Sequence, residues 1–443
     1  MRYTIIGSSA AGAQAAEELR ALDKDSTIVV VSQEGHLPYS RCLISRYADG
    51  RLPESGLYFK TQDFFKRYGI AGILHTQVTK IDRAAKKLIC ENAQEIEYDK
   101  LLIAVGARPR VPKIDGLGLT GVTCFHSLDD ACRVAHSVTF AKAAVVVGAG
   151  FIGLEAAYAL ARRGLKVTVI ERCSQILPNQ LDATASKIIQ QDLEGLGVEM
   201  ILNESIVSIN GTDSVCDVTT ADKTHIKCEL VVIAAGITPN KELAEQAGLD
   251  TDKGILVDEF LRTSDTDIFA AGDCIEIQDI STGKRVLSAT WFNAVLQAKF
   301  AARNMAGERR RYTGAVGIQN AVQFHQIPAI SFGKTLIEDE NSDGYEVVSI
   351  HSGSLYKKLV LKDNKIRGMI FVGDIAKSGF YAALIRHEVD VSKYRDKLLD
   401  ADFSYAYFKD ENFGQADPYQ AIPACWESPA WWAERAQCMG IGS

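Results

Sequence analysis

The sequence predicts an α/β protein with two parallel βαβ units, an α+β C-terminal module and an aromatic-rich tail. Three observations predict it. A strand, glycine turn, helix and strand occur in that order twice, in "YTIIGSSAAGAQAAEELRAL" with "STIVVVSQE", and in "AAVVVGAGFIGLEAAYALARRGLKVTVIER". Two apolar runs, "LLIAVGARPR" and "VVIAAGITPN", end on a glycine at matching places. From about residue 310 the pattern turns to the alternation of antiparallel strands.

Taken in order, the first unit closes its turn with "GSSAAG", Gly7 to Gly12, which keeps the outer glycines but carries Ser9 in the middle. Glu34, just past its second strand, is the expected ribose acceptor, with Ser32 competing for the role. The second unit carries "GAGFIG", Gly148 to Gly153. Its first glycine permits the tight turn, Gly150 lets backbone approach a pyrophosphate, and Gly153 lets the helix pack on its strand. Phe151 and Ile152 open that helix, whose N-H groups and dipole suit phosphate. Glu171 ends the next strand, where a carboxylate bonds both ribose hydroxyls and repels a 2'-phosphate, so NAD(H) is expected there.

"GILVDEFLRTSDTDIFAAGDC" ends a further buried strand on Gly272 and Asp273. Asp273 reads either as a helix cap or as a carboxylate for a ribityl or phosphate-bearing cofactor. "WFNAVLQAKFAARNMAG" reads as an alanine-rich helix, and Lys362 to Lys365 as a hairpin turn. His325 is expected to be a satisfied strand histidine rather than an acid-base group. Trp426, Trp431 and Trp432 lie near the end of the chain and read either as a small core of their own or as a partner-docking patch, the second being favoured because so short a tail is small for a core.

The 443 residues suggest several domains, and 47% hydrophobic with 24% charged residues is ordinary for a globular chain. A net charge of -7 without a basic block argues against nucleic acid. The first strand begins within three residues and no apolar run reaches about 18, so neither a leader nor a membrane span is expected, and the cytoplasm is the expected location. The ten cysteines form no C-x-x-C pair and no metal-ligand set, so no metal is expected.

These landmarks together resemble the FAD-dependent pyridine nucleotide-disulfide oxidoreductase superfamily over roughly residues 1 to 395. The resemblance implies glutathione-reductase-type FAD and NAD domains. FAD would be bound by residues 1–112 and 241–308, NAD by 113–240, with an interface domain over 309–400 and a partner-docking tail over 401–443. It implies Gly7, Ser9, Ala10, Ala11, Gly12, Glu34, Arg41, Ser45, Ala104, Gly106, Arg108, Gly272 and Asp273 toward FAD. Toward NAD it implies Gly148, Gly150, Phe151, Ile152, Gly153, Glu171 and Gly236.

"PYSRCLISRY" is similar to the "Y-x-R-x-x-L-S-K" stretch of rubredoxin and ferredoxin reductases, with Arg46 in place of the lysine near the flavin. "YKKLVLKDNKIRGMIFVGD" resembles the C-terminal domain of rubredoxin reductases and of the flavoprotein part of nitrite reductases. The implied activity is electron exchange, in either direction, between NADH and an iron-sulfur protein through FAD. The chain would act alone, as a homodimer, or as the flavoprotein subunit of a larger iron-sulfur enzyme, such as a 2-oxoacid oxidoreductase or carbon monoxide dehydrogenase. Cys42 departs from that pattern. Its place resembles the single-cysteine NADH oxidases, peroxidases and coenzyme A-disulfide reductases, although positions 8 to 11 lack the histidine of the oxidases and peroxidases. Cys42 is therefore either a redox thiol or a packing residue beside the flavin. A NADH-sensing flavoprotein is the non-enzymatic alternative.

Overall fold

The structure is a computed structural model and describes residues 1–287, 289–337 and 344–408. Strands such as Thr27–Val31 and Ala143–Val147 are β-branched or small and almost wholly buried, as strands covered on both faces must be. They sit in two five-stranded parallel sheets. The first runs in the order Ile268–Ala270, Lys100–Ile103, Arg2–Ile6, Thr27–Val31, Ile70–Ile73. The second runs in the order Glu199–Leu202, Lys166–Glu171, Ala143–Val147, Leu230–Ile233, Val122–Cys124. Helix Ala10–Leu22, whose buried residues are mainly alanines, packs against helix Trp291–Met305, which buries Ala294, Ala298, Ala301 and Ala302 among larger side chains. A short antiparallel pair, Ala107–Pro109 with Ile237–Pro239, carries the chain between the two sheets.

A third sheet is antiparallel, in the order Gln319–Gln323, Pro328–Gly333, Lys365–Val372, Leu355–Lys362, Glu346–Ser352. Its hairpin turns at Asp363 and Asn364, with φ of 54° and 59°, the left-handed pair that matches strand twist. Helix Ser378–Arg386 covers one face. Residues 401–408, which the sequence reading assigned to the tail, pack on this core through two phenylalanines. Phe403 and Phe408 are buried in one cluster with Phe380, Tyr381 and Leu398. Residues 409–443, with the three tryptophans of the expected docking patch, lie outside the described residues.

One hydrophobic cluster joins the second parallel sheet, the antiparallel sheet and the segment that follows the first βαβ unit. It takes Tyr39, Ile44 and Leu57 from the segment after the first βαβ unit, Leu154 and Ile176 from the second, and Phe324, Tyr356 and Ile370 from the antiparallel sheet. Polar contacts follow the same seam. Asp182 caps helix Ala183–Gly195 through the N-H of Ala185, and accepts from the Tyr356 hydroxyl at 2.7 Å and the Lys358 ammonium at 3.0 Å. Among the described residues no helix is long and apolar enough to cross a membrane, and no cluster of metal-ligating side chains occurs.

Candidate functional site

The two glycine turns are near copies in geometry. Gly7 and Gly148 have φ of 106° and 105°, and a Cβ on either would lie 2.2 or 2.5 Å from the carbonyl oxygen of Ala104 or Ala234. Only glycine fits, because the turn presses on the neighbouring strand end. A Cβ on Gly12 would sit 1.8 Å from the Gly7 oxygen, and one on Gly153 would sit 1.9 Å from the Gly148 oxygen. Ser9 and Gly150 hold the cap positions, and neither helix has a side-chain cap, so the first N-H groups and the positive helix ends are left for an anion. Ala10 and Ala11 are buried in the first turn of one helix, whereas Phe151 is half-buried and Ile152 exposed in the other. Gly106, Gly150 and Gly236 border open space, with nothing within 4 Å of an added Cβ.

The strand registers decide which residues correspond. Ile6 pairs with Val31 and Val147 with Ile170, so Ser32 occupies the place that Glu171 occupies in the second unit. Both touch their own turn. The Ser8 hydroxyl donates to the Ser32 hydroxyl at 2.9 Å, while the buried Glu171 carboxylate accepts from Ala149 N-H at 2.7 Å and Cys173 N-H at 2.9 Å. Glu34, the expected ribose acceptor, lies two residues beyond that place. Its carboxylate is held by an ion pair with Arg41 and by the Tyr39 hydroxyl at 2.8 Å. Tyr39 also accepts from Leu128 N-H at 3.0 Å, and Arg41 donates to the His126 carbonyl at 2.8 Å, so this network ties the first unit to the start of helix Leu128–Ser137. Burial, helped by Arg41, pushes the His126 imidazole below its ordinary value.

Asp273 caps no helix. It stands in a turn after strand Ile268–Ala270, before strand Glu276–Gln278. Gly272 touches the first unit, since a Cβ there would lie 3.3 Å from Ala11 Cβ, and its N-H donates to Gln297 Oε1 at 2.8 Å. The fully buried Gln297 keeps its Nε2 without a partner among the described residues. Burial pushes the Asp273 carboxyl up to about 6 against the pull of Arg41.

Cys42, in the short helical turn Arg41–Leu43, shares this cleft. Its thiol reaches solvent, yet the protein around it is dense. Desolvation, with Glu155 and Asp273 adding, pushes it up to about 11. A thiol activated as a nucleophile needs the opposite, a cation or helix N-terminus that lowers its pKa. Every cysteine among the described residues is free, so no thiol pair stands ready.

Glu155 is the residue that the sequence reading missed. It lies one turn into helix Phe151–Arg162, where it is the single carboxylate on an otherwise apolar stretch, and that isolation was the available signal. Burial pushes it up to about 7, opposed by the Ser45 hydroxyl and by Arg46 and Arg51. Ser45 is buried and Arg46 exposed in helix Ile44–Ala48, which packs on the helix of Glu155. Arg108, expected toward FAD, has its own partners in the structure. It donates to Asn240 Oδ1 at 2.9 Å and pairs with Glu242 at 2.5 Å, locking the two crossover strands. His325 is half-buried, 6.2 Å from the ring of Tyr158.

The first turn and its neighbour Asp273, the second turn's helix with Glu155, and the loop of Cys42 and Arg46 thus face one cleft. The chain's own groups fit two dinucleotides. Uncapped helix ends suit two pyrophosphates, glycines beside open space admit close backbone approach, and no hydrogen bond from a described residue reaches Asp273, leaving its carboxylate for a hydroxyl partner.

Comparison with known proteins agrees. The profile of "Pyridine nucleotide-disulphide oxidoreductase" matches residues 1–298, and that of "Rubredoxin NAD+ reductase C-terminal domain" matches residues 320–389. The chain is 30% identical to the assimilatory nitrate reductase electron transfer subunit of Bacillus subtilis, over 92% of this chain and 52% of that protein. It is 28% identical to the NADH-dependent phenylglyoxylate dehydrogenase subunit epsilon of Aromatoleum evansii, over 90% of this chain and 94% of the relative. The chain spans about half the length of the Bacillus subtilis relatives it matches. Among solved structures, a NAD-dependent persulfide reductase from A. fulgidus superposes with a TM-score of 0.82 at 30% identity, covering 89% of this chain and 79% of that one. A ferredoxin reductase from Rhodopseudomonas palustris superposes with a TM-score of 0.79 at 29% identity, covering 88% and 96%.

Proposed function

Because the chain belongs to the pyridine nucleotide-disulphide oxidoreductase family, whose members use FAD and NAD(P)H, we propose that it is a NADH-dependent reductase exchanging electrons with an iron-sulfur protein. The observation that carries this reading is the cleft itself, where two dinucleotide turns converge on one unpaired, unactivated cysteine. Bound FAD would supply the step from two-electron to one-electron chemistry, so that each NADH oxidised yields NAD+, one proton and two reduced carriers.

The chain's own residues do the rest. The turn of Gly7 to Gly12, with Ser9, Ala10 and Ala11 at the helix start, and Asp273 hold FAD; Ser32 takes over the ribose place first given to Glu34. The turn of Gly148 to Gly153 holds the second pyrophosphate, and Glu171 favours the unphosphorylated ribose of NADH. Glu155 keeps a proton available near neutrality inside the cleft, with Arg46 beside it to stabilise the carboxylate when that proton leaves. Membership of a larger complex, as in the phenylglyoxylate dehydrogenase relative, fits this reading in either direction of electron flow.

The second reading is thiol chemistry at Cys42. It is favoured by the persulfide reductase likeness and by the thiol's access to solvent, and opposed by its raised pKa between two carboxylates. Replacing Cys42 by Ser separates the two. NADH oxidation with a one-electron dye and with an iron-sulfur protein is expected to persist within a few-fold. Loss of a wild-type persulfide, disulfide or peroxide activity in that variant would instead establish the thiol enzyme.

A further inference from the structure

Four arginines surround the outer wall of the cleft on a chain whose net charge is -7. Arg46 and Arg51 come from the segment after the first βαβ unit, and Arg162 and Arg163 from the C-terminal end of the helix that carries Glu155. All four are exposed. Their counter-charge is small. Asp49, whose side chain is fully buried, pairs with Arg51 at 2.5 Å and reaches Arg162 at 3.6 Å. Glu155, held up to about 7, is only partly charged near neutrality. Arg163 makes no ion pair among the described residues, and its guanidinium lies 2.9 Å from where a Cβ on Gly50 would be, so the two segments meet.

Tyr158 holds the cluster in place. The guanidinium carbons of Arg51 and Arg162 lie 5.3 and 5.8 Å from its ring centre, within cation-π range. Its ring also approaches His325 of the antiparallel sheet. Asp192 accepts from the N-H groups of Gln326 and Ile327, which follow that histidine. The result is a positive surface where the segment after the first βαβ unit meets the helix of the second, beside the antiparallel sheet, and two of its arginines also act on Glu155 within the cleft.

From this placement we infer that the surface of Arg51, Arg162 and Arg163 is the docking site for an acidic one-electron carrier protein, an inference that rests on the function proposed above. A positive patch on an acidic protein steers an acidic partner by long-range attraction while the rest of the surface repels it. A partner seated there would hold its redox centre against the cleft in which Glu155, Cys42 and Asp273 lie.

The test uses the full FAD-loaded chain with an acidic ferredoxin, basic cytochrome c and a neutral quinone as acceptors. Arg162→Gln with Arg163→Gln should raise KM for the ferredoxin about tenfold at low ionic strength, and should flatten the salt dependence between about 20 and 200 mM. Turnover with the quinone should stay within twofold, and cytochrome c reduction should hold or improve. Should the double variant lose its fold, Arg163→Glu alone leaves the Asp49 pairs intact and should still raise KM for ferredoxin at least roughly threefold. An unchanged ferredoxin KM in a folded, FAD-containing variant overturns the docking site and leaves the proposed function standing. A wild-type chain that reduces the quinone but not the ferredoxin overturns the proposed function, and the docking site with it.

Discussion

Two carboxylates of the cleft are held above their ordinary values by burial, Glu155 from 4.5 to about 7 and Asp273 from 3.8 to about 6. The native state therefore binds more protons than the unfolded chain between those limits, and their contribution to stability falls as pH rises from about 4 to about 7. Glu155→Gln removes the larger part of that fall. In urea unfolding of the apoprotein, the loss of stability between pH 5 and pH 8 should be smaller in the variant than in the wild type, and an equal loss would refute the assignment. Glu171 governs the other half of the cleft. Both its oxygens already accept backbone N-H groups, but carboxylate oxygens have further lone pairs for ribose hydroxyls. Arg172 beside it is exposed and makes no ion pair among the described residues. Glu171→Gln should therefore raise KM for NADH while improving use of NADPH, because losing the charge removes repulsion of a 2'-phosphate. Steady-state kinetics with both coenzymes decide it, and unchanged ratios would displace Glu171 from the role.

At the scale of elements, the glycine turns are the most demanding pieces. An Ala at Gly153 would place its Cβ 1.9 Å from the Gly148 oxygen, so the turn must open or the helix retreat, at a cost of about 1–3 kcal/mol for overpacking. Gly153→Ala should weaken NADH binding at least tenfold while FAD content stays that of the wild type, because the first turn is untouched; joint loss of both would mean that the two sites are coupled. These turns were legible because strand, turn and helix impose the same local spacing wherever they occur, and so was the hairpin at Asp363 and Asn364. Register was not. Between Glu34 and Ser32 spacing could not choose, whereas the pairing of Ile6 with Val31 puts Ser32 at the position that Glu171 holds in the second unit. Asp273 could not be told from a helix cap until the chain after it proved to be turn and strand. The ion pair of Arg108 with Glu242 was not legible either, because the two lie far apart along the chain and spacing carries no record of such a pair.

For the whole molecule, a linear division into domains hides the packing that holds them. The segment around Tyr39, Ile44 and Leu57 belongs by sequence to the first unit but is buried with the second unit and the antiparallel sheet. Phe403, read as tail, is core, since contacts distant in sequence leave no periodic trace. Asp182 is the polar rivet of this shared seam. Its carboxylate caps a helix of the second unit and receives Tyr356 and Lys358 from the antiparallel sheet, with the Lys358 side chain only 8% exposed. Asp182→Ala should cost about 3 kcal/mol, because it strands a buried ammonium as well as removing a cap. Adding Lys358→Met should recover much of that loss, since an apolar side chain of similar length no longer needs a counter-ion. The cluster shared by the second parallel sheet and the antiparallel sheet further implies that heating unfolds these two together, so calorimetry of the single variant should show their one transition moved to lower temperature. A separate low-temperature transition confined to the antiparallel sheet would mean instead that this sheet folds on its own and that the seam is only a contact between finished parts.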